Sequence, residues 1–138
     1  KGILVFTRFL KEAERLTMSI PGCAIVSGDT PKKERERILE SFKTGEIPVV
    51  ANVGVLTTGF DYPELDTVVM ARPTMSLAMY YQIVGRCIRP YKGKTAWFVD
   101  LCGNINRFGE VSDLHLKDTG NGKWAVFSKG RQLTNVRF

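Results

Sequence analysis

The chain has 138 residues, enough for one domain with a real core and no need of metal or disulfide staples. Its 43% hydrophobic and 25% charged content excludes a disordered chain. A net charge of +6 favours an anionic partner, with nucleic acid first in that class; a merely basic soluble domain is the alternative that charge leaves open.

Ile3-Leu4-Val5-Phe6 is a continuous apolar run, the pattern of a strand buried on both faces. Arg8 to Ile20 carries Phe9, Ala13, Leu16 and Ile20 at helical spacing, and Pro21-Gly22 stops that helix. Cys23-Ala24-Ile25-Val26 reads as a second strand, followed by the turn Ser27-Gly28-Asp29. Thr30-Pro31 reads as an N-cap with proline at the first helical position. That helix runs to about Lys43, with Ile38, Leu39 and Phe42 on its core face, and Thr44-Gly45 ends it. Pro48 to Ala51 and Thr67 to Met70 are the third and fourth strands. Leu77 to Ile88 is a helix stopped by Pro90, and Thr95 to Val99 is the fifth strand.

This alternation predicts an α/β fold, a parallel sheet with helices on both faces. Ligands of such sheets bind at the carboxyl ends of the strands. The pattern changes after about Asp100. Leu101 to Asp113 is polar and irregular. Leu114-His115-Leu116 and Trp124-Ala125-Val126-Phe127 flank Asp118-Thr119-Gly120-Asn121-Gly122, strong turn chemistry that predicts a β-hairpin appendage. The expected organisation is a core at residues 1–100 and an extension of the same domain at 101–138. In the tail, Trp124, Phe127, Lys129, Arg131, Arg137 and Phe138 interleave aromatic and basic groups. They would form a stacking surface for single strands, or simply pack the hairpin on the sheet.

Three cysteines, Cys23, Cys87 and Cys102, lie far apart without CxxC spacing, against a disulfide framework or a zinc site. They fit a reducing, intracellular, cytoplasmic setting. His115 is the only histidine, so histidine catalysis is not expected and no metal ligands are assigned. No apolar run reaches membrane-spanning length, and no membrane partner is expected. The chain opens at Lys1 without an initiator methionine, so a piece of a longer protein is expected.

The strongest chemical signal is Gln82-Ile83-Val84-Gly85-Arg86-Cys87-Ile88-Arg89. On a helix, positions 82, 85, 86 and 89 share one face, and Leu77, Tyr81, Val84 and Ile88 form the apolar stripe opposite. Gly85 costs a helix roughly 1 kcal/mol against alanine, which suggests that something approaches closely there. Two arginines about one turn apart repel unless an anion lies between them, and guanidinium fits phosphate oxygens in bidentate fashion. A solvated basic face is the plainer alternative.

Gln82-x-x-Gly85-Arg86-x-x-Arg89 resembles motif VI of superfamily-two helicases, the QxxGRxxR signature. The resemblance continues in order along about residues 1–100. Ile3 to Thr7 resembles motif IV, Ser27-Gly28-Asp29 the loop that follows it, and Ala51 to Asp61 motif V. The Thr57-Thr58-Gly59-Phe60-Asp61 and Gly85-Arg86-x-x-Arg89-Pro90 variants resemble restriction-translocase and DEAD/DEAH-like repair helicases more than RNA-specific DEAD-box proteins. The resemblance implies a RecA-like second motor domain. Arg86 and Arg89 would be arginine fingers for ATP held by an N-terminal RecA-like partner domain of the same polypeptide. Gln82, Gly59 and Asp61 would line the nucleotide. Thr7, Gly28, Thr57 and Thr58 would contact strand phosphates, without base specificity. DNA is favoured over RNA.

Asp61 has a second reading, as a cap on the Tyr62-Pro63 turn. Two features depart from the family pattern. Val53-Gly54 stands where many relatives carry Thr-Asp or Ser-Asp, so Thr57 or Thr58 would replace a contact made there. Cys87 stands where a small residue is usual and reads as a filler. No GxxxxGK[ST] loop and no DEAD-like acidic motif is present; Gly120-Asn121-Gly122-Lys123 is followed by Trp124 and joins two strands. ATP and Mg²⁺ are therefore expected to be held mainly by the partner domain, and this chain alone is expected to be inactive. The competing readings are a non-catalytic nucleic-acid-binding module that keeps the fold, and a nucleotide-binding α/β domain unrelated to nucleic acid.

Overall fold

β1 (Ile3–Thr7), α1 (Leu10–Ser19), β2 (Cys23–Ser27), α2 (Lys32–Thr44), β3 (Val49–Val53), β4 (Thr67–Ala71), α3 (Leu77–Cys87) and β5 (Trp97–Asp100) follow one another along the chain. The computed structural model describes residues 2–54, 62–74, 76–87, 92–109, 113–120 and 123–133. It joins these five strands in one parallel sheet in the order β2-β3-β1-β4-β5. β1 sits at the centre and reads as an unbroken apolar run because both of its faces are covered.

Leu4, Phe6, Val26, Val50, Val68 and Met70 line one face of the sheet. Ile38 and Phe42 of α2 and Tyr80, Ile83 and Val84 of α3 pack onto it. α1 covers β1, β2 and β3 on the opposite face, with Ala13 fully buried. Each fully buried large apolar side chain contributes roughly 1.5–3 kcal/mol. The expected α/β architecture, with helices on both faces, is the one observed.

Local detail departs from the sequence pattern in four places. α1 starts at Leu10, later than Arg8, because the Glu12 carboxylate accepts from the Arg8 and Phe9 backbone N–H groups at 3.0 and 3.2 Å. Phe9 therefore stands outside the helix, 56% exposed. α2 starts at Lys32, with Pro31 in the N-cap position. The Thr30 hydroxyl instead accepts from the Ser27 N–H at 3.0 Å and closes the β2–α2 turn. The helix ends as expected at Gly45, whose φ of 90° is left-handed and whose N–H donates to the Phe42 carbonyl. The buried stripe of α3 is Tyr80, Ile83 and Val84, with Leu77 partly buried, whereas Tyr81 is 56% exposed. The predicted stripe was set too far round the helix at Tyr81, and Ile88 lies outside the described residues.

The fourth departure follows β5. The segment read as irregular contains a short helix, α4 (Asn104–Phe108). Beyond it, β6 (Leu114–Gly120), β7 (Lys123–Ser128) and β8 (Arg131–Gln132) form an antiparallel sheet in the order β6-β7-β8. The predicted hairpin is thus present, with a third short strand added. β6 runs through Asp118-Thr119-Gly120, assigned above to the turn, by shifting register between Asp118 and Gly120. Phe108 anchors this region in the main core, stacked on Tyr80 with ring centroids 5.2 Å apart.

Candidate functional site

Because all five strands of the main sheet run parallel, their carboxyl ends share one edge. Thr7 lies opposite Val53 on one side and Ala71 on the other, and Val53 lies opposite Ser27. The strand ends that carry the end of motif IV, the first residues of motif V and Ser27 are therefore neighbours, and Thr7 and Ser27 are two strand spacings apart, roughly 10 Å. Gly28 is exposed, with open space around its Cα. Thr7 is 1% exposed, and its hydroxyl donates to the Asn52 carbonyl at 3.5 Å. Its side chain is thus turned into the sheet.

The remaining predicted residues divide in two groups. Thr57, Thr58, Gly59, Asp61 and Arg89 lie outside the described residues. Gln82 and Arg86 lie within α3, but their side chains are outside the described set. Helical spacing keeps positions 82, 85 and 86 off the stripe formed by the buried Tyr80, Ile83 and Val84. α3 leaves the same carboxyl edge that carries Thr7, because it follows the end of β4.

The start of α3 is held by a polar cluster that sequence reasoning missed. Asn104 is fully buried. Its Nδ2 donates to the Arg72 carbonyl and to Asp100 Oδ1, each at 3.0 Å. Its Oδ1 accepts from the Thr74 N–H at 2.9 Å and from Arg107 Nη1 at 3.2 Å. Asp100 Oδ2 accepts from the Ile105 N–H at 2.8 Å, and Oδ1 also accepts from the Cys102 N–H at 3.2 Å. Arg107 Nη1 donates to the Thr74 carbonyl at 2.9 Å. Thr74 Oγ1 accepts from the Ser76 N–H, and Ser76 Oγ accepts from the Met79 N–H at 3.2 Å, an N-cap on α3. The available signal was Asp100-x-x-Gly103-Asn104-x-x-Arg107, but a five-residue helix shows no periodicity to reveal it.

Other features do not compete for the site. An open depression of about 710 Å³, lined by Lys43, Thr44, Tyr62, Asp66, Lys94 and Trp97 among others, lies at the opposite, amino edge of β4 and β5. Cys23 and Cys102 are free thiols. Burial pushes both up from the ordinary thiol value, with the Asp100 and Glu12 carboxylates adding to the effect at Cys102. Both thus stay protonated at neutral pH and are poor nucleophiles. Among the described residues, no group of three His, Cys, Asp or Glu side chains sits together to hold a metal ion, and no helix is long and apolar enough to cross a membrane.

The model of the helicase conserved C-terminal domain matches residues 1–91. The chain belongs to that family. It is a superfamily-two helicase C-terminal domain with a RecA-like sheet. A 51.5 kDa protein of a Lactococcus phage (isolate 7-9) is 36% identical over 101 residues, covering 72% of this chain and 22% of that protein. The ATP-dependent RNA helicase DBP3 of Gibberella zeae is 35% identical over 97 residues, covering 67% of this chain and 16% of the relative. The structure of the ATP-dependent Type ISP restriction-modification enzyme LlaBIII bound to DNA shares the fold with a TM-score of 0.63. That match has 23% identity and covers 72% of this chain and 8% of the other. The chain thus spans less than a quarter of the length of the curated relatives it matches.

Proposed function

We propose that this helicase C-terminal domain is the second motor domain of an ATP-dependent helicase or translocase, and that Arg86 and Arg89 are its arginine fingers. The single observation that carries the reading is that a QxxGRxxR sequence lies on and just beyond α3 in a chain matched by the helicase family model. The nucleotide is bound mainly by an N-terminal RecA-like domain of the full-length protein, which also holds Mg²⁺. Two guanidiniums supply fixed positive charge where negative charge develops on the transferring γ-phosphoryl group. Gln82, Gly59 and Asp61 line the nucleotide from this side.

The nucleic-acid backbone lies along the carboxyl edge. Gly28, exposed and open, offers its backbone there, with Thr57 and Thr58 from the motif V segment. Thr7 contributes by holding the end of β1 through its bond to Asn52. Such contacts read phosphate and not base sequence. We favour DNA over RNA on the Thr-Gly-Phe-Asp form of motif V; one curated relative is an RNA helicase, and a DNA-bound restriction-modification enzyme shares the fold. Phe108 and Leu133, packed on the main core, support the reading of residues 101–138 as an extension of the same domain. An intracellular, cytoplasmic setting suits this activity.

The test is the full-length protein carrying Arg89→Ala. Nucleic-acid-stimulated ATP hydrolysis should fall by on the order of 10³-fold or more, while nucleotide binding persists. Turnover near the wild-type rate would remove the finger assignment.

A further inference from the structure

We propose that Asn104, set in place by Asp100, is a positioning residue for α3 and hence for Arg86, which α3 carries. The inference rests on the finger reading above and adds a device that operates it.

Asn104 engages the link between β4 and α3 as a neighbouring strand would. One amide accepts from the Thr74 N–H and donates to the Arg72 carbonyl, at 2.9 and 3.0 Å, so the direction of the chain leaving β4 is fixed at two points. A side-chain amide offers two donors and an acceptor on one short planar group; an ionised carboxylate of the same shape cannot donate. All four hydrogen bonds of this buried amide are made. A satisfied buried network of this kind selects one arrangement of the backbone around it. From Thr74 the bonds continue through Ser76 to the Met79 N–H in the first turn of α3.

The helix is a lever. Its 11 residues span roughly 16 Å, so a tilt of about 4° at the start moves the far end by about 1 Å. A misplacement of that size costs catalysis on the order of 100-fold. The same device reaches the appended sheet: the Arg131 guanidinium donates to the Arg107 carbonyl, and the Tyr80 hydroxyl of α3 donates to the Gly109 carbonyl at 2.8 Å.

The experiment uses the full-length protein with Asn104→Asp, which keeps the shape, can donate at most one of the two hydrogen bonds, and sets a second carboxyl against Asp100. Nucleic-acid-stimulated kcat should fall about 10- to 100-fold, with KM for ATP and affinity for a non-hydrolysable ATP analogue changed less than about threefold. In an Arg86→Lys background the same change should add less than about threefold, because the two act on one element. An unchanged kcat in the folded single variant overturns the proposal, and so does recurrence of the whole factor in the Arg86→Lys background. If Asn104→Asp does not fold, Arg107→Met serves instead: its kcat should fall about 3- to 10-fold, and an unchanged kcat overturns the proposal. An Arg86→Lys protein that retains wild-type kcat defeats the finger reading itself, an outcome distinct from failure of Asn104→Asp alone.

Discussion

In the parallel sheet, Leu4, Val26, Val50 and Val68 are fully shielded from solvent, and Phe42 and Tyr80 close over them. In the appended sheet, Ala125 and Ser128 are the residues buried among those described. The first region is held by volume: its strands touch covering helices, and large side chains fill the space between. Among the described residues, the second is held by backbone pairing and by ties to the rest of the molecule at Leu133 and Phe108 in the core, Arg131 on the Arg107 carbonyl and Tyr80 on the Gly109 carbonyl. The difference teaches where to look for rigidity and where for adjustment: the body sets the frame, and the seam at α4 sets how the motif VI helix leaves it.

The comparison is broken most forcefully inside the body. Phe42→Ala removes a fully buried ring that packs edge-on against Tyr62, and about 3–5 kcal/mol of stability should go with it. Urea unfolding of the protein measures this; a loss below about 1 kcal/mol would mean that the body is not held by volume. At the seam, Gly109 has φ 81°, and a Cβ there would collide with the Ser128 side chain. Gly109→Ala should cost about 1–3 kcal/mol, and hydrogen exchange should show the loss in α4 and β6–β8 while β1 and β3 keep their protection. Equal loss in both sheets would erase the distinction between them.

The smallest effect is expected at the far tip. Lys129 holds a left-handed φ of 49° before Gly130 in the tight β7–β8 turn, a conformation that asparagine tolerates better. Its exposed ion pair with Asp113, at 3.5 Å, contributes little. Lys129→Asn should therefore raise stability by about 0.5 kcal/mol, seen as slower amide exchange at β7 and β8 alone. Faster exchange there would show that the ion pair outweighs the turn.

β1 and β3 are legible because burial on both faces forces apolar runs, and α2 because Ile38 and Phe42 recur at helical spacing. Spacing alone leaves α3 free to rotate by one position, and the sheet beneath decides that Tyr80 is covered and Tyr81 is not. Thr30 does not cap α2, because its hydroxyl accepts from the Ser27 N–H in the β2–α2 turn and Pro31 takes the N-cap position.

The sequence by itself determined the α/β alternation, the motif order and the family, since these are properties of neighbours along the chain. Only the tertiary structure decided that Arg72, Thr74, Asp100, Asn104 and Arg107 form one cluster. Asn104 and Arg72 are 32 positions apart, and hydrogen bonds between such groups exist only after β4 and β5 have paired and brought their ends together.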